Sequence, residues 1–438
     1  MAGSMHPQDH LFSIGQDKIR YTIAAQKVSL LTSTSQSERC QQGDDVSPPD
    51  SFHIPPVTSL SLIITRMCNL CCPYCYACGL YDASMKEVMN EGTARAAIDL
   101  FLRASHTPDC QVMFIGGEAM LSWDLITRLV KYGEEQAALL GKHIVWKLST
   151  NGTLFPSGSF QFLKNHRFEL LIDIDGPPEV HDRNRPFHNG RGSAAIVSSN
   201  YRRLRETGVS PISLRATVTP SFPQVPDIYA TLLGMRPDEI RIIPQFFDFG
   251  SVGWSEDTLD ELLAGYAELA GDMLSRIIDE TYRGIRLDPF TAFIYLLCTR
   301  EKKRRYCGGA GSIIAVTPDG RLYPCSALIR DDTGLGNIRD GIDYSRLKDW
   351  RDSCDLEKRP TCSTCWARYL CGGGCYAHAA EMTGSPDRPV EIECRIMKHV
   401  IELSIWLYVR ILDEKPEFFL NLVSWNRKLF ATNDTHQQ

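Results

Sequence analysis

The chain has 438 residues, of which 43% are hydrophobic and 23% are charged, and its formal net charge is −6. This length allows one large domain with one or two smaller ones. The negative charge argues against a general nucleic-acid-binding protein, which would usually be basic. No apolar run approaches the roughly 20 residues of a membrane span, so we expect a protein that binds neither nucleic acid nor a membrane.

The chain contains 16 cysteines. Its first residues, MAGSMHPQDH, lack the basic region and apolar core of a signal peptide, so we expect a cytoplasmic protein. In a reducing compartment, so many thiols indicate metal or cluster binding rather than disulfides. They are concentrated in two groups, at residues 68–78 and 298–394, with none between Cys110 and Cys298.

The N-terminal segment alternates apolar and polar residues over residues 11–34, with a candidate turn at Gly15, Gln16 and Asp17. This pattern predicts strands. Residues 35–55 are polar and rich in proline, and we interpret them as a linker or loop. Residues 1–56 are therefore predicted to form a short N-terminal β extension followed by a linker.

Six short apolar runs follow, separated by segments with helical periodicity. Their richness in Ile, Val and Leu is typical of strands that are buried on both faces. The alternation predicts a parallel sheet with right-handed crossovers, either a partial (β/α)6 barrel of the TIM type or an open doubly wound sheet. The runs are SLSLIIT (59–65), QVMFIGG (111–117), IVWKLST (144–150), ELLIDID (169–175), ISLRATVT (212–219) and EIRIIPQF (239–246).

Polar segments come directly after the first four runs. The first cysteine group follows residues 59–65, and the segments GGE, STNG and DIDG end the next three runs or follow them. Because the C-terminal ends of parallel strands meet on one rim, we expect these segments to lie together and to carry the chemistry.

The first cysteine group, within TRMCNLCCPYCYACG (65–79), contains the spacing C-x3-C-x2-C in two registers. One starts at Cys68 and the other at Cys71. Structural zinc sites usually need four ligands, and a [4Fe–4S] cluster usually takes four thiolates. Three thiolates on such a cluster would leave one iron for a small molecule with an amine and a carboxylate. A zinc site built from the same loop is the alternative interpretation.

The stretch CNLCCPYCY resembles the C-N-L-x-C-x-Y-C motif of the radical S-adenosylmethionine (SAM) superfamily, which follows the first strand of a partial barrel. In the first register Tyr74 precedes the third cysteine, whereas in the second register Ala77 does. The resemblance selects the first register and leaves Cys71 and Cys78 without a role. It implies that a [4Fe–4S] cluster that binds SAM is held by Cys68, Cys72 and Cys75.

The resemblance extends along the rim. GGEA resembles the GGEP turn that holds the SAM amino group, and DIDGPPEVHDRNR resembles the motif S-x-D-G-P-x3-H-D-x2-R, with an Asp where Ser is frequent. LRATVT contains Arg215, which matches an arginine that pairs with the SAM carboxylate in the family. A salt bridge at the rim is an alternative role for Arg215. The SAM contacts implied by the resemblance are Gly116, Gly117, Glu118, Asn151, Asp173 and Arg215.

The second cysteine group resembles the SPASM extension of radical SAM enzymes, C-x(9–15)-G-x4-C followed by C-x2-C-x5-C-x3-C and a last C. This resemblance implies two auxiliary [4Fe–4S] clusters, and a pair of zinc ribbons is the alternative. The implied outer ligands are Cys362, Cys365, Cys371 and Cys394. The implied inner ligands are Cys307, Cys325 and Cys375, with Cys298 as the candidate fourth ligand and Cys354 or an open site as alternatives.

The resemblance covers residues 57–400 and implies a division of the chain. Residues 57–285 would form the barrel, residues 286–400 the SPASM module, and residues 401–438 a C-terminal helix and tail. The segment from residue 390 to residue 412 is predicted to be one long helix.

SPASM enzymes mostly modify peptides or proteins. The resemblance therefore implies an enzyme that cleaves SAM to a 5′-deoxyadenosyl radical and oxidatively modifies, by crosslinking, side chains of a ribosomal precursor peptide. It also implies three [4Fe–4S] clusters and an electron donor of the flavodoxin or ferredoxin type. One alternative is formylglycine formation, as in anaerobic sulfatase maturases, but there an Asp follows the G-x4-C cysteine, whereas here Ser326 follows Cys325. The other alternative is a non-catalytic iron–sulfur or zinc-ribbon binding protein.

Overall fold

The computed structural model describes residues 9–23, 26–31, 57–77, 87–246 and 253–419. The predicted N-terminal strands are confirmed as an antiparallel sheet of β1 (Asp9–Ile14), β2 (Asp17–Thr22) and β3 (Lys27–Leu30). The predicted turn joins β1 to β2, and Gly15 adopts a φ of 58° there, which suits glycine. The predicted linker at residues 35–55 lies outside the described residues.

The six apolar runs form six parallel strands whose order in the sheet is their order in the chain. A doubly wound sheet would reverse its strand order at a switch point. The consecutive order therefore decides for the partial (β/α)6 barrel. The strands are β4 (Ser59–Thr65), β5 (Asp109–Gly116), β6 (His143–Thr150), β7 (Glu169–Asp173), β8 (Ile212–Val218) and β9 (Glu239–Pro244).

Helices connect these strands, and the sequence signals at their ends are local. The side chain of Asn90 accepts a hydrogen bond from the Thr93 N–H and starts the first helix, while Ser255 and Thr258 form a capping box at the start of the seventh. The helices are α1 (Glu91–Ala104), α2 (Trp123–Leu139), α3 (Ser159–Asn165), α4 (Pro178–Asn184), α5 (Ala194–Thr207), α6 (Val225–Gly234) and α7 (Glu256–Ile278).

The two faces of the parallel sheet differ in chemistry. One face carries fully buried apolar side chains such as Phe114 and Trp146, which belong to the main hydrophobic core. Residues at alternate positions point to the other face, and there several are charged. Lys147 on β6, for example, pairs with Glu169 on β7 at 3.0 Å. The inner face of the barrel is therefore polar.

The sheet continues beyond β9 and on the far side of β4. Strand β10 (Arg286–Asp288) pairs in parallel with β9, and β11 (Ile313–Val316) pairs in parallel with β4 and antiparallel with β12 (Leu322–Tyr323). The boundary predicted between residues 285 and 286 thus falls between two strands of one sheet. The division of the chain into domains stays a prediction.

The remaining C-terminal elements are short, apart from the last helix. They are α8 (Phe290–Thr299), β13 (Gly336–Asn337), β14 (Gly341–Ile342), α9 (Tyr344–Ser353), α10 (Pro360–Ser363), α11 (Arg368–Cys371), α12 (Tyr376–Thr383) and α13 (Glu391–Glu414). The last confirms the predicted long helix.

Helix α13 packs against α7, α8 and the N-terminal sheet. His10 of β1 lies 2.7 Å from Glu402, and the Trp406 ring N–H donates to Asp17 at 3.0 Å. None of the described helices has the length and apolar character needed to cross a membrane.

Candidate active site

The three cysteines of the first register lie in the loop after β4 and share one electrostatic environment. Burial, the Glu118 carboxylate and the Cys75 thiol together raise the pKa of Cys68 to about 11. Burial also raises the pKa of Cys72, and the Cys75 and Cys68 thiols add to that effect. Within the described residues, no three His, Cys, Asp or Glu side chains are arranged around a single metal ion. Three thiolates from one loop are ligands of the kind that a [4Fe–4S] cluster takes, each binding a different iron.

Cys71 differs from these three cysteines. Its side chain is exposed, and its backbone N–H donates to the carbonyl of Pro186 at 2.8 Å. The neighbouring Leu70 N–H points at the Cys68 sulfur, 3.4 Å away. The backbone of the loop thus anchors Cys71 while its thiol faces solvent. Cys78, the last member of the second register, lies outside the described residues.

The GGE turn at the end of β5 packs directly against the cysteine loop. A Cβ atom on Gly116 would lie 2.2 Å from the Thr65 carbonyl oxygen, and one on Gly117 would lie 2.3 Å from that of Met67. The Gly117 and Glu118 N–H groups donate to these two carbonyls at 2.9 and 2.8 Å. The two glycines therefore allow β5 to approach the loop that carries the cysteines.

Glu118 is buried, and its carboxylate holds strand ends together. It accepts hydrogen bonds from the Met120 N–H at 2.9 Å, the Thr150 hydroxyl at 2.8 Å and the Asn151 N–H at 2.7 Å. Burial raises the pKa of Glu118 to about 7. The Asn151 amide N–H donates in turn to Asn69 of the cysteine loop at 2.9 Å. Glu118 and Asn151 thus position the loop in this structure.

Tyr74, the aromatic residue before the third cysteine, reaches across the barrel. Its hydroxyl donates to the Asp175 carboxylate at 2.5 Å. Asp175 is fully buried, accepts from the Thr217 N–H at 3.0 Å and pairs with Arg185 at 3.1 Å. The guanidinium of Arg185 lies 5.5 Å from the centre of the Tyr74 ring. The aromatic position of the motif therefore ties the loop to the end of β7.

Asp173 and Arg215, two predicted SAM contacts, bind each other. Arg215 donates to the Asp173 carboxylate through Nε at 2.7 Å and through Nη2 at 3.1 Å. Arg185 donates to the same carboxylate at 3.1 Å. Although burial opposes it, the two guanidinium groups lower the pKa of Asp173. The rim therefore presents a bidentate ion pair close to the cysteine loop.

The inner cysteines of the C-terminal region come together. Cys307 is exposed at its surface, but the protein packed around it desolvates the thiol and, together with the Cys325 thiol, raises its pKa to about 11. Burial, the Glu393 carboxylate and the thiols of Cys325 and Cys307 raise the pKa of Cys375. These three residues are separated by up to 68 positions in the sequence, counted from 307 to 375. They lie within electrostatic range of one another, and a Cβ atom on Gly309 would be 3.3 Å from the Cys307 sulfur and 3.6 Å from the Cys325 Cβ.

The outer cysteines form a second set. Burial raises the pKa of Cys394 to about 12, and the Cys371 and Cys362 thiols contribute to the increase. Burial and the Cys365 thiol raise the pKa of Cys362. The nearby Arg359 is almost fully buried, and its guanidinium donates to three backbone carbonyls, those of Asp387, Gly373 and Pro386.

Cys354, rather than Cys298, lies close to the inner set. Burial raises the pKa of Cys354 to about 12, and the Cys307 thiol raises it further. Burial alone raises the pKa of Cys298 to about 12. Within the described part of the chain, no other thiol influences Cys298, which lies near Tyr408 of α13. The structure therefore does not bring the predicted fourth ligand to the set, but it does bring the alternative.

Tyr76 joins the two regions. Its hydroxyl is hydrogen-bonded to Ser326, and burial and the Cys325 thiol raise its pKa to about 12. Arg215 lies close to the same hydroxyl. The first cysteine loop is thus linked through a single side chain to the inner set.

The segment that carries this geometry matches a known family. Residues 62–227, from β4 to the start of α6, match the Radical SAM superfamily. The chain carries a radical SAM domain. It is an enzyme, and the matched segment contains the three-cysteine loop, the GGE turn and the Asp173–Arg215 pair.

Relatives extend the likeness beyond the radical SAM domain. The serine-type anaerobic sulfatase-maturating enzyme of Klebsiella aerogenes is 23% identical over 347 residues, which are 75% of this chain and 81% of the relative. The PqqA peptide cyclase of Bradyrhizobium diazoefficiens is 24% identical over 361 residues, 77% of this chain and 86% of the relative. The structure of native anSMEcpe with bound AdoMet and Kp18Cys peptide has a TM-score of 0.68 at 20% identity, over 81% of this chain and 99% of that one. At this identity the structural likeness shows the fold.

The sequence did not single out several residues that organise the radical SAM domain and its neighbouring module. Asp175 and Arg185 lie within the DIDGPPEVHDRNR motif, whose quoted pattern could have identified them. Glu393 had no such signal. It is buried, accepts from the Cys375 N–H at 2.9 Å and lies 2.9 Å from His378. It therefore stands between the inner and outer cysteine sets.

Proposed function

We propose that this radical SAM enzyme cleaves SAM reductively and oxidises, by crosslinking, side chains of a ribosomal precursor peptide. The observation that carries the proposal is the set of three thiols at the barrel rim, Cys68, Cys72 and Cys75, which influence one another while Cys71 faces solvent. A [4Fe–4S] cluster held by these three thiolates would have one iron free to bind the amine and carboxylate of SAM, and it would supply the electron for SAM cleavage.

The protein residues around this set have defined tasks in the proposal. Tyr74 and Asn151 hold the loop in place through Asp175 and Asn69. Arg215 would offer its guanidinium to the SAM carboxylate, and Asp173 would orient that guanidinium and accept from a ribose hydroxyl. The backbone of Gly116 and Gly117, which already positions the loop, would line the amino group together with Glu118.

A peptide substrate is supported by the relatives. One relative is a peptide cyclase, and anSMEcpe was solved with a bound peptide. Crosslinking removes two hydrogens from the peptide. One leaves as an atom and ends in 5′-deoxyadenosine, while the other leaves as a proton and its electron passes to an acceptor. A flavodoxin- or ferredoxin-type protein would supply the electron for SAM cleavage.

The C-terminal cysteines fit the need for an electron acceptor. We assign the inner ligands as Cys307, Cys325, Cys375 and Cys354, and the outer ligands as Cys362, Cys365, Cys371 and Cys394. The Tyr76–Ser326 hydrogen bond supports the inner set as the acceptor, because it ties that set to the SAM-binding loop. The buried carboxylate of Glu393 would orient the inner set through the Cys375 backbone.

Anaerobic reconstitution of the full chain tests the assignment. Three [4Fe–4S] clusters would bring about 12 iron atoms per chain. With a reductant and SAM, the enzyme should form 5′-deoxyadenosine, and the triple replacement of Cys68, Cys72 and Cys75 by Ala should abolish it while about 8 iron atoms remain. Cys71→Ala is the matched control and should retain the activity. Stoichiometric zinc, or 5′-deoxyadenosine formation by the triple variant, would overturn the proposal.

Formylglycine formation is the second candidate, because sulfatase-maturating enzymes are among the relatives. The residue after Cys325 is Ser326, which is hydrogen-bonded to Tyr76 and is not a carboxylate. This observation favours crosslinking. The two outcomes are distinguishable on a co-expressed peptide, since a hydrazide reagent labels the aldehyde of formylglycine and leaves a crosslink unlabelled.

A further inference from the structure

Three polar side chains beside Cys68 form a closed ring of hydrogen bonds. Asn69 lies in the cysteine loop, and Asn151 and Thr153 lie in the loop after β6. The Asn69 amide N–H donates to the Thr153 hydroxyl at 2.8 Å, and that hydroxyl donates to the side-chain oxygen of Asn151 at 2.7 Å. The Asn151 amide N–H closes the ring, since it donates to the side-chain oxygen of Asn69 at 2.9 Å.

One backbone group fixes the direction of the whole ring. The Thr153 N–H, which can only donate, lies 3.0 Å from the Oδ1 atom of Asn151. That atom must therefore be the oxygen of the amide, and Nδ2 takes the opposite position. A hydroxyl has a single proton, so the Thr153 hydroxyl gives its proton to Asn151 and can only accept from Asn69. Every donor in the ring then faces an acceptor.

The ring directs an N–H group at the Cys68 sulfur. The Nδ2 atom of Asn151 carries two protons. One is given to Asn69, and the other faces the Cys68 sulfur, which lies 3.7 Å from Nδ2. The backbone N–H of Leu70 lies 3.4 Å from the same sulfur. Cys68 thus receives one N–H from its own loop and one from the barrel.

The ring also occupies the whole hydrogen-bonding capacity of the Asn151 amide. Its oxygen accepts from both the N–H and the hydroxyl of Thr153, which uses both of its lone pairs. Its two protons go to Asn69 and Cys68. Asn151 and Thr153 are buried, with exposed fractions of 6% and 7%. The Asn151 side chain is therefore bound to the protein itself and is not offered to a ligand in the barrel.

We infer that Asn151 is a positioning residue that acts through Cys68, and that its N–H raises the reduction potential of the SAM-binding cluster instead of contacting SAM. This inference rests on the proposed function, in which Cys68, Cys72 and Cys75 hold that cluster. Hydrogen bonds to the sulfurs are among the features that set the potential of a cluster. An added electron makes the sulfurs more negative, so an N–H group stabilises the reduced form more than the oxidised form.

The test is a redox titration of the reconstituted full chain, followed by electron paramagnetic resonance of the reduced protein. The signal of the SAM-binding cluster is the one that the triple replacement of Cys68, Cys72 and Cys75 removes. Asn151→Ala should decrease the ratio of reduced to oxidised cluster at a fixed potential by about threefold or more, a shift of about 30 mV for one electron. The affinity of the oxidised enzyme for SAM, measured by calorimetry, should stay within about twofold of wild type.

Thr153 tests the ring without changing the group that faces the sulfur. Thr153→Val removes the hydroxyl that orients both amides, so it should lower the potential in the same direction. Thr153→Ser keeps the hydroxyl and should keep the wild-type potential. The matched control is Asn200→Ala, which should also keep it. The Asn200 amide holds the same loop, because it donates to the carbonyls of Gly152 and Thr153 at 2.9 and 3.2 Å, but these two bonds end on backbone and not on a sulfur.

Each of three results would overturn the inference: an unchanged potential in Asn151→Ala, an equal shift in Asn200→Ala, or a loss of SAM affinity of about tenfold or more in Asn151→Ala. If Asn151→Ala loses the SAM-binding cluster altogether, Thr153→Val decides, and a wild-type potential in that variant overturns the inference as well. If the wild type forms 5′-deoxyadenosine while the variants keep its potential, the role of Asn151 is refuted and the proposed function stands. A wild type that forms none refutes the proposed function itself.

Discussion

The hydrogen bond between Tyr74 and Asp175 gives the most direct test of how the cysteine loop is held. Tyr74→Phe removes only the hydroxyl, so the ring still packs beside Arg185. The lost bond is 2.5 Å long and ends on a carboxylate that is 0% exposed. Hydrogen bonds to charged groups contribute about 1.5–3 kcal/mol. In the variant, Asp175 still accepts from the Thr217 N–H and still pairs with Arg185. We therefore expect the free energy of unfolding to fall by an amount in the lower half of that range, about 2 kcal/mol.

The assay is urea unfolding of the full chain, in which the shift of the unfolding midpoint gives the change in the free energy of unfolding. Tyr132→Phe is the matched control, because it deletes a hydroxyl that donates to the Asp99 carboxylate at 2.8 Å near the surface. The free energy of unfolding of that variant should fall by no more than about 1 kcal/mol, which is typical of polar contacts that are partly open to solvent. If the two variants lose the same stability, Tyr74 does not anchor the loop in the way described.

Three further predictions concern the same region and the C-terminal cysteines. Gly117→Ala should lower both the unfolding midpoint and the iron content, because its Cβ would collide with backbone 2.3 Å away, whereas Gly271→Ala, with no atom within 4 Å, should be neutral or stabilising. The pKa of Glu118 is raised from 4.5 to about 7, so the folded chain binds more protons than the unfolded chain in that window and loses stability as the pH rises. Glu118→Gln should flatten this part of the curve of urea midpoint against pH, and an unchanged slope would contradict it. Cys354→Ala should lower bound iron by up to about four atoms per chain, while Cys298→Ala should not. The reverse result would favour Cys298 as the fourth ligand of the inner set.

The strands could be predicted because burial on both faces leaves a clear apolar signal. The first run, residues 59–65, is β4 to the residue. The run at residues 169–175 extends past its strand, which ends at Asp173. Composition could not locate this end, since the chain leaves the sheet where Asp175 turns inward to meet Tyr74. The choice between barrel and doubly wound sheet needed the strand order, which no single segment encodes.

The grouping of the cysteines was predictable where spacing along the chain already brings them close. Cys362 and Cys365 are close in sequence, so their pairing follows from the motif. Spacing offered Cys354 only as an alternative to Cys298, because its approach to Cys307 depends on how α9 packs. The same limit applies to Asn69 and Thr153, which are ordinary polar residues of two separate loops and meet only in the folded chain.

The contact between the N-terminal sheet and helix α13 has a consequence for the order of folding. His10 stacks on Trp366, with ring centres 3.7 Å apart, and bonds with Glu402, which is 392 positions away. The ribosome therefore releases β1 long before the surface that covers it is synthesised. Contacts of such long sequence separation form late, because closing the loop costs entropy before any contact is gained. These strands can therefore pack in their final place only after the chain has been synthesised beyond Glu402.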